Sequence, residues 1–318
     1  MAPIIEIKNL TKRYGRRTAV SGLDLTVEEG DIFGFVGPNG AGKTSTIRIM
    51  ATLLSFNDGD ILVQGYSVRE KPREVRKRIG YMPDFFGVYN DLAVWEYLDF
   101  FGACYQIPEN QRPGLIDDLL ELVDLGHRKD DPVEKLSRGM KQRLSLARTL
   151  IHDPEVLILD EPASGLDPRA RAEIRELLVE LAGLGKTIFF STHILADVAE
   201  ICSSIGIIEA GELVAAGPLE ELHQQLIPTR TIHITLLEGT EKAQEILNKI
   251  PEISRIELRP AKNGNGRQLI EIEFMGDDET LSGILKTLIE AKLPVLHFTE
   301  DSRNMESVFM RVTKGLVT

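Results

Sequence analysis

Residues 37–44 read GPNGAGKT, which is the G-x-x-x-x-G-K-T pattern of a phosphate-binding loop. In such a loop, successive backbone N–H groups surround the phosphates, and we expect Lys43 to reach the β and γ phosphate oxygens. The Thr44 hydroxyl is a predicted Mg²⁺ ligand. The three glycines permit a close backbone approach, or a positive φ, that a Cβ would prevent. The nucleotide contacts predicted here are Gly37, Pro38, Asn39, Gly40, Ala41, Gly42, Lys43, Thr44 and Ser45.

The residues around this loop are typical of a strand followed by a helix. DIFGFVG at 31–37 is a short apolar run, and TSTIRIMATLL at 44–54 has apolar residues at helical spacing. The loop therefore ends at a helix N-terminus, which favours anions. This context favours a nucleotide site over a glycine-rich turn that contains a lysine by chance.

A second segment supplies paired carboxylates. EVLILDEP at 155–162 is an apolar strand signal that ends in Asp160 and Glu161. Asp160 is placed to hold Mg²⁺ through water, and Glu161 to orient and deprotonate an attacking water. Both residue types therefore point to metal-assisted phosphoryl chemistry.

Three more motifs surround these carboxylates. LSRGMKQRLSLARTL at 136–150 opens with Ser137 and Gly139 at a predicted helix N-terminus, which is another place for phosphate. The other two motifs lie downstream: SGLDP at 164–168 and FFSTHIL at 189–195.

These motifs and their order resemble those of the ATP-binding cassette ATPases, with Walker A, signature, Walker B, D-loop and H-loop in turn. The resemblance covers roughly residues 4–225. It implies hydrolysis of ATP with Mg²⁺ as a cofactor. It also implies that His193 contacts the γ-phosphate, that Asp167 links two sites across a dimer, and that Tyr14 stacks on adenine.

The resemblance further implies that one chain does not complete the site. The resembled proteins pair head to tail and hold two ATP molecules between two subunits, so that Ser137 and Gly139 touch the γ-phosphate bound by the opposing subunit. ATP binding then closes the homodimer and hydrolysis opens it. The implied partners are ATP, a second copy of the chain and integral membrane permease subunits.

Two motifs depart from the family pattern. The signature reads LSRGM instead of LSGGQ, so that Arg138 and Met140 replace a glycine and a glutamine. In RIGYMPDFFGVY at 78–89, Asp84 stands where the family has its Q-loop glutamine. An ionised aspartate only accepts hydrogen bonds, whereas glutamine also donates them. Our hypothesis is that Asp84 contacts Mg²⁺-bound water once the dimer closes; the alternative is that it faces solvent or caps the next turn.

The charge balance argues against a nucleic-acid partner, because 49 acidic residues outnumber 37 basic ones. The basic run at 69–78 is interpreted as a solvated helix face, with a juxtamembrane or regulatory contact as the alternative. Cys104 and Cys202 are too few for a disulfide framework, and we expect them to be mostly buried in a reducing compartment.

No stretch approaches the ~20 apolar residues that cross a bilayer, and the N-terminus lacks the build of a signal peptide. We therefore expect a cytoplasmic protein, peripheral on the cytoplasmic face of the cell membrane.

Strand and helix signals alternate up to about residue 225. The prediction is an α/β P-loop NTPase cassette over 1–226, with a helical subdomain at about 91–150. The aromatic residues of 95–105 are predicted to be core, whereas Phe85, Phe86 and Tyr89 are candidates to face a partner. The predicted strands are 4–9, 31–36, 155–160, 187–191 and 205–209.

The pattern of residues 227–318 predicts the element order β-α-β-β-α-β, with KNGNG at 262–266 as a hairpin turn. This order predicts a small α+β, ferredoxin-like accessory domain, followed by a last helix at 304–313. Similar tails occur on ATPase subunits of bacterial drug and polysaccharide exporters. We expect regulation or dimer support from this domain, because it contains no cluster of metal ligands.

Three functions compete at this point. The leading one is the ATPase subunit of a membrane exporter, with separate permease chains. The second is a soluble cassette ATPase of repair or translation, although those relatives usually carry two cassettes or long coiled coils. The third is a nucleotide-binding regulatory module without turnover, which the joint presence of Asp160, Glu161 and His193 argues against. The transported substrate is set by the permease.

Overall fold

The structure, a computed structural model, describes residues 3–85, 87, 91–226, 230–260, 268–300, 309 and 313. The chain divides into two compact units. The division falls after Leu222, inside a helix that continues to Leu226, a few residues before the boundary expected at 226. Phe309 is grouped with the first unit.

The first unit alternates strands and helices. Its strands are β1 (Pro3–Tyr14), β2 (Arg17–Glu28), β3 (Ile32–Val36), β4 (Asp58–Val63), β5 (Tyr66–Ser67), β6 (Ile79–Met82), β7 (Val156–Asp160), β8 (Thr187–Thr192), β9 (Ser204–Glu209) and β10 (Glu212–Pro218). Its helices are α1 (Lys43–Met50), α2 (Pro72–Arg78), α3 (Val94–Cys104), α4 (Arg112–Leu122), α5 (Arg138–Leu150), α6 (Pro168–Gly183), α7 (Leu195–Ile201) and α8 (Leu219–Leu226).

The central sheet has six strands in the order β10-β9-β3-β8-β7-β6, and all neighbours except β10 and β9 are parallel. Strands β3, β7 and β8 are buried along their whole length, as expected of parallel strands covered on both faces. The carboxyl ends of parallel strands meet at one edge of the sheet. That edge therefore receives the loop after β3, the carboxylates after β7 and the histidine after β8.

A second, antiparallel sheet has the order β2-β1-β4-β5. The sequence prediction found only residues 4–9 of it, whereas β1 continues to Tyr14 and pairs with β2 along its length. In β2, buried Leu23, Leu25 and Val27 alternate with exposed positions, which is the pattern of a strand with one buried face.

Helices α3, α4 and α5 form the helical segment predicted at about 91–150. In α3, Tyr97 and Leu98 are fully buried, and Phe101 packs against the same core. The buried face of this helix is completed by Val94 and Gly102, and the other aromatic side chains lie off that face. The prediction of an all-core aromatic set is therefore wrong for Trp95, Phe100 and Tyr105, which are 38%, 45% and 45% exposed.

Helix α5 connects the helical segment to the central sheet through two side chains at and beyond its C-terminal end. Arg148 Nη2 donates to the carbonyl oxygen of Tyr81 at 3.3 Å, and His152 Nε2 donates to that of Ile79 at 2.9 Å. Both acceptors lie on β6. Burial lowers the pKa of His152. The strand that leads to Asp84 is therefore bonded to α5.

The second unit contains β11 (Arg230–Leu236), α9 (Thr240–Leu247), β12 (Ile253–Pro260), β13 (Gln268–Phe274), α10 (Asp278–Glu290) and β14 (Val295–Glu300). Its antiparallel sheet has the order β12-β13-β11-β14, and the two helices cover one face through a core that includes Ile234, Ile272 and Leu288. The predicted ferredoxin-like order is confirmed. The hairpin turn expected at 262–266 lies outside the described residues, as does the helix expected at 304–313 apart from Phe309 and Thr313.

Three smaller expectations can be checked in the same units. Cys104 is exposed at the end of α3, contrary to the prediction, and Cys202 is partly buried; both thiols are free. In α2, Lys77 and Arg78 pair with Glu74 at 2.9 and 3.1 Å, which fits a solvated helix face. Within the described ranges, no helix combines the length and the apolarity that crossing a bilayer requires.

Candidate nucleotide site

A cleft of about 490 Å³ opens at the carboxyl edge of the central sheet. It is bounded by the loop after β3, the end of β1, the residues after β6 and β7, and the residue after β8. Ten of the predicted site residues line it: Tyr14, Asn39, Gly40, Gly42, Lys43, Thr44, Ser45, Asp84, Glu161 and His193.

The glycines of the loop are required for two different reasons. Gly40 and Gly42 have φ values of 84° and 112°, a region that residues with a side chain rarely adopt. A Cβ on Gly37 would stand 2.3 Å from the carbonyl oxygen of Ile208, so this glycine is required by the neighbouring strand. The loop then enters α1 at Lys43, and the N-terminus of α1 faces the cleft.

Lys43 is 5% exposed, and its ammonium group is surrounded by oxygen atoms. Its Nζ donates to the carbonyl oxygen of Gly37 at 2.7 Å and to that of Pro38 at 3.3 Å, and lies 3.5 Å from Glu161 Oε1. Burial lowers the pKa of Lys43, while the carboxylates of Glu161 and Asp160 act in the opposite direction. The lysine is thus a cation held at the floor of the cleft.

Asp160 is fully buried, and only one of its oxygens is bonded. Its Oδ1 accepts from Ser191 Oγ at 2.7 Å and from Thr44 Oγ1 at 3.3 Å, whereas Oδ2 has no hydrogen-bond partner. Burial raises the pKa of Asp160, and the negative charge of Asp84 raises it further. An unpaired buried carboxylate oxygen is costly unless it meets a cation.

The residues at this point fit Mg²⁺. Thr44 Oγ1 and Asp160 Oδ2 are hard oxygen donors, and Mg²⁺ is commonly held by one or two such protein groups together with waters and phosphate oxygens. In the part of the chain that the structure describes, no three His, Cys, Asp or Glu side chains surround a common point. This donor set suits a cation whose coordination is completed by a nucleotide.

Glu161 has a left-handed backbone conformation, with φ of 51°. Its N–H is held by Ser191, whose carbonyl oxygen and Oγ lie at 3.2 and 3.1 Å. Its side chain accepts a hydrogen bond from His193, with Nδ1 to Oε2 at 2.8 Å. The sequence predicted both side chains for this site, but not that they contact each other.

Tyr14 and Asp84 lie toward the mouth of the cleft. Tyr14 ends β1, is 48% exposed, and has its hydroxyl 3.4 Å from Ser45 Oγ. The Lys12 ammonium lies over the Tyr14 ring, 4.7 Å from its centroid. Asp84 is exposed two residues after β6. An aromatic ring at this mouth can stack on a base, and the carboxylate can reach solvent or a bound ligand.

Seven of the predicted site residues do not line the cleft. Four of them, Gly37, Pro38, Ala41 and Asp160, belong to the loop or directly precede Glu161, whereas Ser137, Gly139 and Asp167 lie elsewhere. Ser137 caps α5, where its Oγ accepts from the N–H of Met140 at 3.3 Å. Asp167 caps α6, accepting from two backbone N–H groups at 3.1 and 3.0 Å. A Cβ on Gly139 would stand 2.9 Å from that of Ala170. The structure therefore places Ser137, Gly139 and Asp167 at two helix N-termini outside the cleft.

Sequence reasoning missed several residues of this site. Ser191 orders both Asp160 and Glu161, and it is the residue that pairs with Asp160 across β7 and β8. The only sequence signal for Ser191 is its place two residues before His193. Whether it bonds to Asp160 and Glu161 depends on which strands are neighbours in the sheet. The cleft is also lined by Arg17, Ala19 and Ser164.

Comparisons with known proteins agree with these motifs. A family model described as ABC transporter matches residues 20–164. The chain is 33% identical over 312 residues to the Nod factor export ATP-binding protein I of Ralstonia nicotianae, covering 98% of this chain and 94% of that protein. It is 33% identical over 309 residues to the daunorubicin resistance ATP-binding protein DrrA3 of Streptomyces coeruleorubidus, covering 97% and 95%.

A solved structure of an ATP-binding subunit of an ABC transporter superposes with a TM-score of 0.63 and 30% identity. The superposition covers 70% of this chain and 92% of that one. The likeness to the curated relatives thus extends over nearly the whole chain, and the likeness in structure over most of it.

Proposed function

Because the chain belongs to the ATP-binding subunits of ABC transporters, we propose that it binds MgATP as a head-to-tail homodimer and drives export through separate permease subunits. Members of this family are ATPases, and this chain is one. Export is proposed because the relatives include export and drug-resistance proteins. The observation that carries the proposed chemistry is the convergence of Lys43, Glu161 and His193 in one cleft.

In the proposed complex, the backbone N–H groups of the loop and the N-terminus of α1 bind the ATP phosphates. Lys43 contacts the β and γ phosphate oxygens, and Tyr14 stacks on the adenine. Thr44 and Asp160 hold Mg²⁺, which supplies positive charge to the phosphates when it is bound. The buried, unpaired Oδ2 of Asp160 supports this assignment.

For the hydrolytic step, Glu161 accepts a proton from the attacking water as the water oxygen bonds to the γ-phosphorus. The bond between that phosphorus and the bridging oxygen of ADP breaks in the same displacement. His193 holds the Glu161 carboxylate through their 2.8 Å contact, and since it lines the cleft it would also contact the γ-phosphate. The fixed positive charge of Lys43 opposes the charge that develops on the phosphate.

Exposed and partly exposed residues supply the proposed partner contacts. Ser137 and Gly139 would complete the site of a second subunit, with Asp167 at the interface between the two. Phe85, which is 86% exposed beside Asp84, would face a permease. The chain then works on the cytoplasmic face of the cell membrane. The second unit would support the dimer or regulate it.

Substitution of Glu161 by glutamine tests this function. The variant should bind MgATP, lose phosphate release and elute as an ATP-bound dimer, because removal of the base costs several kcal/mol in the transition state only. Glu176→Gln, at an exposed glutamate of α6, is the matched control. Wild-type phosphate release by the Glu161 variant would overturn the proposal.

A further inference from the structure

The turn that follows Glu161 is held by the helix that carries the signature sequence. The N–H of Ser164 donates to the carbonyl oxygen of Glu161 at 3.1 Å, which closes the turn. The carbonyl oxygens of Pro162 and Ser164 then accept hydrogen bonds from two side chains of α5.

These two side chains lie one helical turn apart. Gln142 is buried and donates through Nε2 to the carbonyl oxygen of Pro162. Arg138 Nη2 donates to the carbonyl oxygen of Ser164 at 3.1 Å. Positions i and i+4 share one face of a helix, so the pair matches two carbonyls that are two residues apart on the turn.

Arg138 also packs against the next residue, Gly165. Gly165 has φ of 67°, and a Cβ there would stand 2.4 Å from Arg138 Nη2 and 2.6 Å from Cζ. The guanidinium therefore occupies the space that any other side chain at 165 would fill. A planar guanidinium can donate to the carbonyl oxygen of Ser164 while its face lies on Gly165. The compact ammonium group of a lysine could donate to Ser164 but would not cover Gly165 in the same way.

Glu161 needs such support, because a left-handed conformation persists in a residue with a side chain only where its surroundings fix it. Ser191 fixes the N–H of Glu161, and the two α5 side chains fix the turn on its C-terminal side. We propose that Arg138 is a positioning residue, which holds this turn so that the Glu161 carboxylate stays aimed into the cleft. The inference rests on the proposed role of Glu161 as the base, and it gives the arginine at this family glycine position a function within its own chain.

The test compares Arg138→Met, which keeps an apolar stem, with Arg138→Lys, which keeps a donor. Arg76→Met, at an exposed arginine of α2 that bonds to the carbonyl oxygen of Pro72, is the matched control. The full-length protein is assayed for kcat, for KM and for the Kd of ATP. Amide hydrogen exchange of a peptide spanning 161–166 is measured in parallel.

We expect Arg138→Met to lower kcat about ten-fold, since loss of one charged hydrogen bond is of that size. KM and the Kd of ATP should stay at their wild-type values, and exchange in 161–166 should become faster. Arg138→Lys should lie between Arg138→Met and wild type, and Arg76→Met should match wild type.

Two outcomes overturn the inference alone. One is wild-type kcat and exchange in Arg138→Met while Glu161→Gln is inactive. The other is a weaker Kd for ATP with unchanged kcat, which would make Arg138 a ligand contact. Wild-type turnover in Glu161→Gln would overturn the proposed function and this inference together.

Discussion

His193 Nδ1 lies 2.8 Å from Glu161 Oε2, so the side chains that follow β8 and β7 form one hydrogen-bonded pair. The pairing of Asp160 with Ser191 across these parallel strands brings the two chain segments together. The other oxygen of Glu161 lies 3.5 Å from Lys43 Nζ. The carboxylate is therefore held between a histidine and a buried ammonium group.

His193→Ala should lower kcat by roughly 10- to 100-fold, because the base loses the partner that orients it. The Kd of ATP should change much less, since the phosphate loop is untouched. Phosphate release and nucleotide titration measure the two quantities. His127→Ala, at an exposed histidine, is the control. An increase in KM at constant kcat would show that His193 only binds substrate.

Asp160→Asn should stabilise the ligand-free protein at neutral pH. Burial raises the pKa of Asp160, so its contribution to stability is fully present below the pKa of the unfolded chain and is lost as pH rises through the folded-state pKa. At pH 7, which is above the pKa of the unfolded chain, the raised pKa of this buried, half-bonded carboxyl group therefore opposes folding. A gain of about 1 kcal/mol would raise Tm by roughly 2–4 °C for a domain of this size.

Calorimetry at pH 7 and near pH 4 measures this gain, which should shrink at the lower pH. The same variant should lose Mg²⁺-dependent ATP binding, because the candidate metal ligand is gone. Asp153→Asn, at an 89% exposed carboxylate, is the control. A lower Tm for Asp160→Asn at pH 7 would contradict the argument.

Asp84→Ala should slow hydrolysis by about five-fold or more while ATP binding changes little, if Asp84 contacts metal-bound water in the closed dimer. Loss of its charge should also lower the pKa of Asp160, since Asp84 raises it. Binding of Mn²⁺ in the presence of ATP, followed by its paramagnetic signal, reports on the site independently of turnover.

Asp84→Gln, which restores the family residue, should keep most of the activity. With the permease present, Asp84→Ala should also uncouple turnover from the membrane partner. Unchanged hydrolysis by Asp84→Ala, alone and with the permease, would leave Asp84 an ordinary loop residue.

Deletion of 227–318 should leave a protein that folds and binds ATP. The core residues of the second unit, such as Ile234 and Phe274, form a cluster of their own that shares no member with those of the first unit. Phe309 belongs to the first unit, so its loss should slightly lower the Tm of the truncated protein. Circular dichroism and nucleotide titration provide the check, and an unfolded product would show that the boundary is misplaced.

The sequence predicted the parts of this site that are continuous in the chain. The loop at 37–44, Asp160 and Glu161 follow apolar runs whose length and residues fix a strand, so their position at one sheet edge could be expected. The cleft contains most of the side chains predicted in this way.

The rest depends on neighbours that are distant in the sequence. Ser191 meets Asp160 only because β8 lies beside β7, and strand order is not encoded in either segment alone. Arg138 was recognised as a departure from the family, but its acceptor on Ser164 depends on how α5 packs. Helical spacing predicts that Trp95 is buried, but it is 38% exposed, because spacing locates the apolar stripe of a helix and not which edge of that stripe is covered.

Helix α5 is about 20 Å long at 1.5 Å per residue, and it is bonded at both ends. Near its start it holds the turn behind Glu161, and through Arg148 it holds the strand that runs to Asp84. A helix that is attached at both ends couples the two segments that it holds. A tilt of α5 would therefore act on the turn behind Glu161 and on the strand before Asp84 together, so that both sides of the hydrolytic cleft would respond to one displacement.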